Sequence, residues 1–251
     1  MPTEKATAIV LRVVSFSETS SVVTLLTREF GKIRGLAKGA RRIKGPFEYA
    51  LDLLAVCHLV FLRKSSDALD LLTEAKLVRY FRPAKNDLAA LYAAYYVAEL
   101  LNELTDDYDP HPELFDLADR TLADLAAGQD VSVGLLRFEL LALRLLGHLP
   151  SLDVCVECGR EVVARGRVAF GPLSGGVMCP PCRIGKKQVV SVSARGIETM
   201  RRFAAVDSQD WENTDLDRSV RGELRGVLNH YLNHLLGHKL RTQEYLGTYG
   251  S

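Results

Sequence analysis

Short blocks rich in Val, Ile, Thr and Leu recur five times before Tyr80, at residues 8–14, 21–27, 32–37, 51–63 and 69–78, with Gly31 and Ser65-Ser66 as punctuation. Runs of this length and composition, bounded by turn residues, predict β-strands. Five short strands suit a small barrel. An oligonucleotide-binding barrel is the natural candidate, because that fold joins its edges with five strands and presents one face to single strands.

From Pro83 onward the apolar spacing becomes helical. Asn86-Asp87 caps a helix in which Leu88, Leu91, Tyr92, Tyr95, Tyr96 and Leu100 share a stripe, running to about Leu104. Asp109, Pro110 and Pro112 interrupt the chain before a second helix over 114–127, stopped by Gly128. A third spans 135–146 and ends at Gly147 and Pro150. Later come a short strand at 189–192, a helix capped near Ser193 and a long final helix over 217–240. The pattern predicts an α+β chain of more than one domain: a five-stranded barrel over 1–82, then an α-helical domain over 83–251 that carries an inserted module at about 151–192. No internal repeat or low-complexity tract is present.

That inserted module is where the cysteines fall. Cys155-Val156-Glu157-Cys158 and Cys179-Pro180-Pro181-Cys182 form two Cys-x-x-Cys pairs, with Gly159, Gly175 and Gly176 nearby. Each pair can aim two thiolates at one point, and two pairs complete the sulfur tetrahedron that zinc takes in structural sites. Cys155, Cys158, Cys179 and Cys182 are therefore the expected ligands of one structural Zn2+. Cys57, in an apolar strand, reads as a buried thiol.

Charge separates the two parts further. The formal net charge is only +1, yet residues 1–82 hold 14 Lys and Arg against 8 Asp and Glu, and the remainder holds 18 against 23. The excess is concentrated in Lys32, Arg34, Lys38, Arg41, Arg42 and Lys44, with no acid between Gly31 and Phe47. Unbroken positive charge interspersed with Gly31, Gly35, Gly39 and Gly45 suits a segment that follows a phosphate backbone. Phe16, Phe30, Phe47, Tyr49 and Phe61 lie in or beside the strands, and one or two of them are expected to stack on bases while the others fill the core.

At 47% apolar over 251 residues the chain can bury a real core. No basic start followed by a long apolar stretch opens the sequence, and no run of eighteen apolar residues occurs later. These features predict a protein that is neither exported nor membrane-spanning and that works in the cytoplasm with its thiols reduced.

Other constellations are weaker. His230, His234 and His238 are spaced four apart in the last helix, but the glutamate of a zinc protease is missing between them. His58, His111 and His148 are isolated. Cys155 with Glu157 and the second pair loosely matches a zinc nucleotide deaminase. Such an enzyme needs three protein ligands, an open position for water and a proline before the second pair, whereas Cys158 supplies a fourth sulfur here and Met178 replaces the proline. Gly185-Lys186-Lys187 lacks the remaining residues of a phosphate loop. No catalytic residues are assigned, and a non-enzymatic function is expected. A zinc-containing regulator that reads duplex sequence would need a helix presenting Arg, Asn or Gln to the major groove, while the basic residues here lie in β-rich sequence.

Several blocks in order resemble the RecO family of bacterial recombination and DNA-repair proteins, over nearly the whole chain. Ala8-Ile9-Val10-Leu11-Arg12, Ser17-Glu18-Thr19-Ser20 and Leu25-Leu26-Thr27-Arg28-Glu29-Phe30-Gly31-Lys32 look like the family's first strands and turn. Leu36-Ala37-Lys38-Gly39-Ala40-Arg41-Arg42 is similar to its basic segment. Ala94-Tyr95-Tyr96-Val97-Ala98-Glu99-Leu100-Leu101, Phe138-Glu139-Leu140 and Gly147-His148-Leu149-Pro150 resemble its helical part, and the cysteine pairs complete the match. The chain departs from the family pattern at Lys44-Gly45-Pro46 and at Lys239-Leu240-Arg241-Thr242.

The resemblance implies a mediator that binds single- and double-stranded DNA, anneals complementary strands and helps RecA load onto DNA coated with single-strand binding protein. The implied partners are RecR, often RecF, and the C-terminal tail of single-strand binding protein. Annealing needs no nucleotide cofactor, since base pairing supplies the free energy.

Overall fold

The computed structural model describes residues 2–42, 45–47, 49–64, 68–206, 211, 214 and 216–249. Contacts divide the chain into two compact units, one of residues 1–129 with 244–251 and the other of residues 130–243.

The first unit is built on five strands, β1 (Thr3–Ser15), β2 (Ser21–Thr27), β3 (Gly31–Ala37), β4 (Val56–Leu62) and β5 (Asp70–Arg79). They form a closed barrel in the order β1-β2-β3-β5-β4, in which β1 also pairs with β4 and only the β3–β5 pairing is parallel. Closure pairs each strand with two neighbours, although β3 meets β5 only over Gly35–Ala37, which leaves the start of β3 to be paired from elsewhere. Ala8, Val10, Val23, Leu25, Ile33, Leu59, Phe61 and Leu72 fill the interior. The sequence pattern places the fourth strand too early. Residues 51–55 instead form tight turns, with Leu54 at φ 66°, and Leu51 and Ala55 join Phe47 and Ala50 in the barrel core.

Two helices complete this unit, α1 (Leu88–Leu104) and α2 (Pro112–Ala126). Asp87 caps α1 by accepting from the Ala90 amide at 2.9 Å, as the Asn86-Asp87 signal predicts. Arg28, just after β2, grips Asp116 of α2 with two bonds of 2.8 and 3.0 Å and holds that carboxyl below its ordinary value. Arg79 of β5 pairs with Asp119, one turn further along α2.

The second unit contains α3 (Val131–Leu145), β6 (Arg167–Gly171), β7 (Gly176–Met178), α4 (Pro180–Arg183), β8 (Val190–Ser193), α5 (Ala194–Ala204) and α6 (Arg218–Leu236). α3 starts a turn earlier than the apolar stripe suggests, because Asp130 accepts from the Val133 amide at 3.0 Å and caps it. The strands make an antiparallel sheet in the order β7-β6-β8. β6 and β7 are too short and glycine-rich to be visible as strands in the sequence. α6 ends at Gly237 with φ 76°, the left-handed stop that glycine adopts without strain. A last helix, α7 (Gln243–Tyr249), follows and brings Tyr245 onto Tyr92 of α1 with centroids 4.9 Å apart. Among the described residues, no helix is long and apolar enough to cross a membrane.

Candidate nucleic-acid interface and metal centre

The basic segment begins inside β3 and runs beyond it, and the two parts have different surroundings. Lys32 is half-buried, and its ammonium donates to the main-chain oxygens of Asn102, at 2.7 Å, and Thr105. These carbonyls belong to the C-terminal end of α1, where orphan acceptors and the negative end of the helix dipole favour a cation. Asp107 Oδ1 lies 3.9 Å from the same ammonium. Arg34 faces outward but binds Asp107 through Nε at 2.9 Å and Nη2 at 2.5 Å. The structure thus places the Lys32 charge against the end of α1, where it acts as a cap, rather than on the open surface with Lys38, Arg41 and Arg42.

The segment that follows α1 also occupies the beginning of β3's edge. Lys32 bridges Asp107 in parallel register, and the Tyr108 amide donates to the Lys32 carbonyl at 2.8 Å. Gly31 permits this approach, since a Cβ there would stand 2.1 Å from the Asp109 carbonyl oxygen, and its φ is +70°. Tyr108 in turn donates to buried Asp70 and lies under Arg63. Burial, then the bond to Asp70, push its phenol upward.

Lys38, Arg41 and Arg42 are exposed, and none of them forms an ion pair among the described residues. Gly39 turns the loop, with the Arg42 amide donating to its carbonyl at 3.0 Å. The Arg41 amide donates to Thr19 of the β1–β2 hairpin at 3.2 Å, so the loop is fastened to that hairpin. Lys44 lies outside the described residues.

Register adds a residue that charge counting passed over. Arg12, Thr24 and Arg34 stand in one cross-strand row of β1, β2 and β3, and Val14, Val22 and Leu36 in the next row on the same face. Arg12 is exposed and lies beside the cationic segment only through this pairing. Of the five aromatic candidates, Phe30 and Phe61 pack edge to face with centroids 5.5 Å apart, and Phe47 is buried. Phe16 and Tyr49 are exposed, at 66% and 65%.

The four cysteines meet in the second unit. Cys155 and Cys158 flank a turn closed by the Gly159 amide on the Cys155 carbonyl at 2.8 Å. Cys179 follows β7, and Cys182 sits in α4 with its amide on the Cys179 carbonyl at 3.1 Å. The Val156 amide reaches the Val177 carbonyl at 3.1 Å and ties the hairpins together. All four Sγ atoms lie within 4.8 Å of one another. The Cys158 and Cys179 sulfurs are 3.7 Å apart, which matches the edge of about 3.8 Å in a tetrahedron with Zn–S arms of about 2.3 Å. Burial works against the Cys155 thiolate, but backbone hydrogen bonds at Cys179, Glu157 and Cys158 outweigh it and bring the thiol down to about 6. Cys182 is pushed up to about 12 by hydrogen bonds with the Cys179 and Cys158 thiols and by burial. The donor set and its spacing fit a zinc ion.

Arg201 of α5 braces the same region, donating to the Leu152 carbonyl at 2.8 Å and the Val162 carbonyl at 3.2 Å and pairing with Asp153 at 2.9 Å. Nothing in the local sequence marks that role. Glu157 is tied to Lys186 at 2.7 Å, and the fourth sulfur takes the corner that a deaminase keeps for water. Among the described residues the histidines of α6 gather in no metal-holding group. Cys57 is fully buried, as expected, and burial pushes its thiol up to about 12.

Comparison with known proteins covers the chain in two pieces. The family model described as Recombination protein O N terminal matches residues 1–81, and the one described as Recombination protein O C terminal matches residues 85–244. The DNA repair protein RecO of Rhodopirellula baltica is 48% identical over 199 residues, 79% of this chain and 74% of that one. Those of Myxococcus xanthus and Symbiobacterium thermophilum are 36% and 33% identical over 245 residues, in each case 97% of this chain and 96% of the relative.

Proposed function

Because the chain belongs to the RecO family of DNA repair proteins, we propose that it is a recombination mediator that binds single- and double-stranded DNA and anneals complementary strands without ATP. In this reading it acts with RecR, and with RecF, to help RecA load onto DNA coated with single-strand binding protein, whose tail it also engages. It works in the cytoplasm, on the nucleoid, and catalyses no reaction of its own.

The observation that carries the DNA-binding part is the exposed cationic loop. Lys38, Arg41 and Arg42 meet no acid among the described residues, while Lys32 and Arg34, a few residues earlier, are taken by α1 and Asp107. Three unanswered cations on the hairpin side of a five-stranded barrel suit phosphates that give up their counterions. Arg12 extends the same surface along the outer face of β1–β3. Annealing follows from ionic attraction: cations on the protein reduce the repulsion between two strands, and pairing of their bases supplies the driving force.

Cys155, Cys158, Cys179 and Cys182 would hold one structural zinc ion. The metal would supply a fixed four-sulfur crosslink between the two Cys-x-x-Cys hairpins.

The test is annealing of two complementary strands, each coated with single-strand binding protein, with no nucleotide present. Wild type should accelerate it, and the triple variant Lys38→Glu, Arg41→Glu, Arg42→Glu should not. If the three loop cations each meet a phosphate, log affinity for a single strand should fall with log salt at a slope of about −2, from roughly 0.7 per contact. Unchanged annealing, affinity and slope in the triple variant would remove the loop from the interface.

A further inference from the structure

We propose that Phe16, at the tip of the β1–β2 hairpin, is the platform on which an unpaired base stacks when a single strand lies along the cationic loop. The proposal rests on the DNA-binding reading above and adds to it the residue that distinguishes bases from bare phosphate.

Phe16 contributes nothing to the barrel core. Its ring is 66% exposed in a turn otherwise made of Ser15, Ser17, Glu18, Thr19 and Ser20. The turn is well tied: the Phe16 and Ser17 amides both donate to the Ser20 carbonyl, at 3.0 and 3.2 Å, and the Ser20 amide donates to Ser17 Oγ at 3.2 Å. A large apolar side chain presented to water on a fixed turn is available for a contact outside the chain.

Its neighbourhood identifies that contact. Ser15, Ser21 and Ala37 form one cross-strand row, so Phe16 and Lys38 leave the sheet at the same end, two strand spacings or roughly 10 Å apart. The Arg41 amide on the Thr19 carbonyl fastens the cationic loop to this same turn. Behind Phe16 the row Val14, Val22 and Leu36 continues the apolar surface along the outer face. Glu18 makes the tip itself poor ground for a phosphate and leaves the ring as what the tip offers. An aromatic face beside fixed cations is the pairing that single-strand binders use, with charge on the backbone and stacking on the bases. Tyr49, the other exposed aromatic among the five candidates, is instead joined through its carbonyl to Tyr80 after β5.

The experiment uses the full chain with Phe16→Ala and Phe16→Trp, and three labelled probes: a mixed-sequence single strand, an abasic strand of equal length, and the duplex. Phe16→Ala should weaken the base-bearing single strand by roughly 5- to 150-fold. It should leave the abasic strand, the duplex and the salt slope as in wild type, and Phe16→Trp should restore binding. Thermal midpoints equal to wild type check that the hairpin still folds. Wild-type affinity of Phe16→Ala for the base-bearing strand overturns the proposal, as does an equal loss on the abasic strand, which would mean that Phe16 only positions the loop. Retained strand binding with lost capture of a protein partner would make the ring a protein contact and also overturns it. If the triple charge reversal binds normally while Phe16→Ala does not, the phosphate reading fails and the stacking stands.

Discussion

Around β3 the chain gathers positive charge and answers part of it itself: carbonyls of α1 take Lys32, and Asp107 takes Arg34. Around Cys155 it gathers four sulfurs, and among the described residues no cationic side chain is hydrogen-bonded to any of them. The difference separates side chains that folding has already matched with an opposite charge or dipole from side chains that meet none among the described residues. Two places among the described residues meet that criterion. The loop of Lys38, Arg41 and Arg42 suits a polyanion, and the sulfur cluster suits a divalent cation.

The largest effect that should separate the two places comes from the sulfurs. Metal binding by sites of this kind contributes on the order of 10 kcal/mol to the folding of small modules. Cys155→Ser with Cys179→Ser should therefore abolish bound zinc and open residues 151–183 to protease, while the barrel and its DNA affinity persist. Metal analysis and limited proteolysis read the outcome; a wild-type protein purified without chelator and free of zinc would break this half of the comparison.

The answered cation should behave in the opposite way to the unanswered ones. Lys32→Met leaves two half-buried carbonyls at the end of α1 without their donor and should cost about 2 kcal/mol in denaturant unfolding, with the salt slope of DNA binding unchanged. Lys38→Met should stay within about 0.5 kcal/mol of wild-type stability. Should Lys32→Met be as stable as wild type but weaker on DNA, the division drawn within β3 would be wrong.

For the loop, three contacts at roughly 0.7 each imply that single-strand affinity falls about twentyfold between 50 and 200 mM salt, a window taken from the general salt rule. The triple reversal should flatten that dependence, which titration of a labelled oligonucleotide at both salt concentrations would show.

Cys57 is the smallest case and the reverse of the cluster, a single sulfur kept neutral. Burial raises its thiol to about 12 from 9.0. The folded value lies above the unfolded one, so its contribution to stability is complete below pH 9 and fades as pH climbs toward 12. By about pH 10 the loss should be about 1.4 kcal/mol. Cys57→Ala should show a shallower alkaline decline in urea midpoint than wild type.

What the sequence disclosed follows the range over which each signal acts. The cysteine cluster was legible because two ligands three residues apart constrain geometry locally, and the helices were legible from capping residues and stripes. The barrel strands appeared through their apolar runs, except that residues 51–55, equally apolar, proved to be turns that place Leu51 and Ala55 in the barrel core. The surroundings of Lys32 were not legible, since its partners lie at Asn102 and Thr105 and no local pattern points there. Arg12 and Arg201 were invisible for the same reason: one gains its role from cross-strand register, the other from carbonyls at Leu152 and Val162. Among the aromatics, composition could say that one or two were outside, and only burial could say that Phe16 was one of them.

The ribbon from Thr105 to Asp109, lying against the start of β3, bears on how the protein can be dissected. A fragment cut near residue 82 would lose that covering strip and the acceptors of Lys32 together, leaving a bare margin of main-chain donors and acceptors open to a neighbouring molecule. Such a piece invites self-association, and a cut after Gln129 keeps the seam intact.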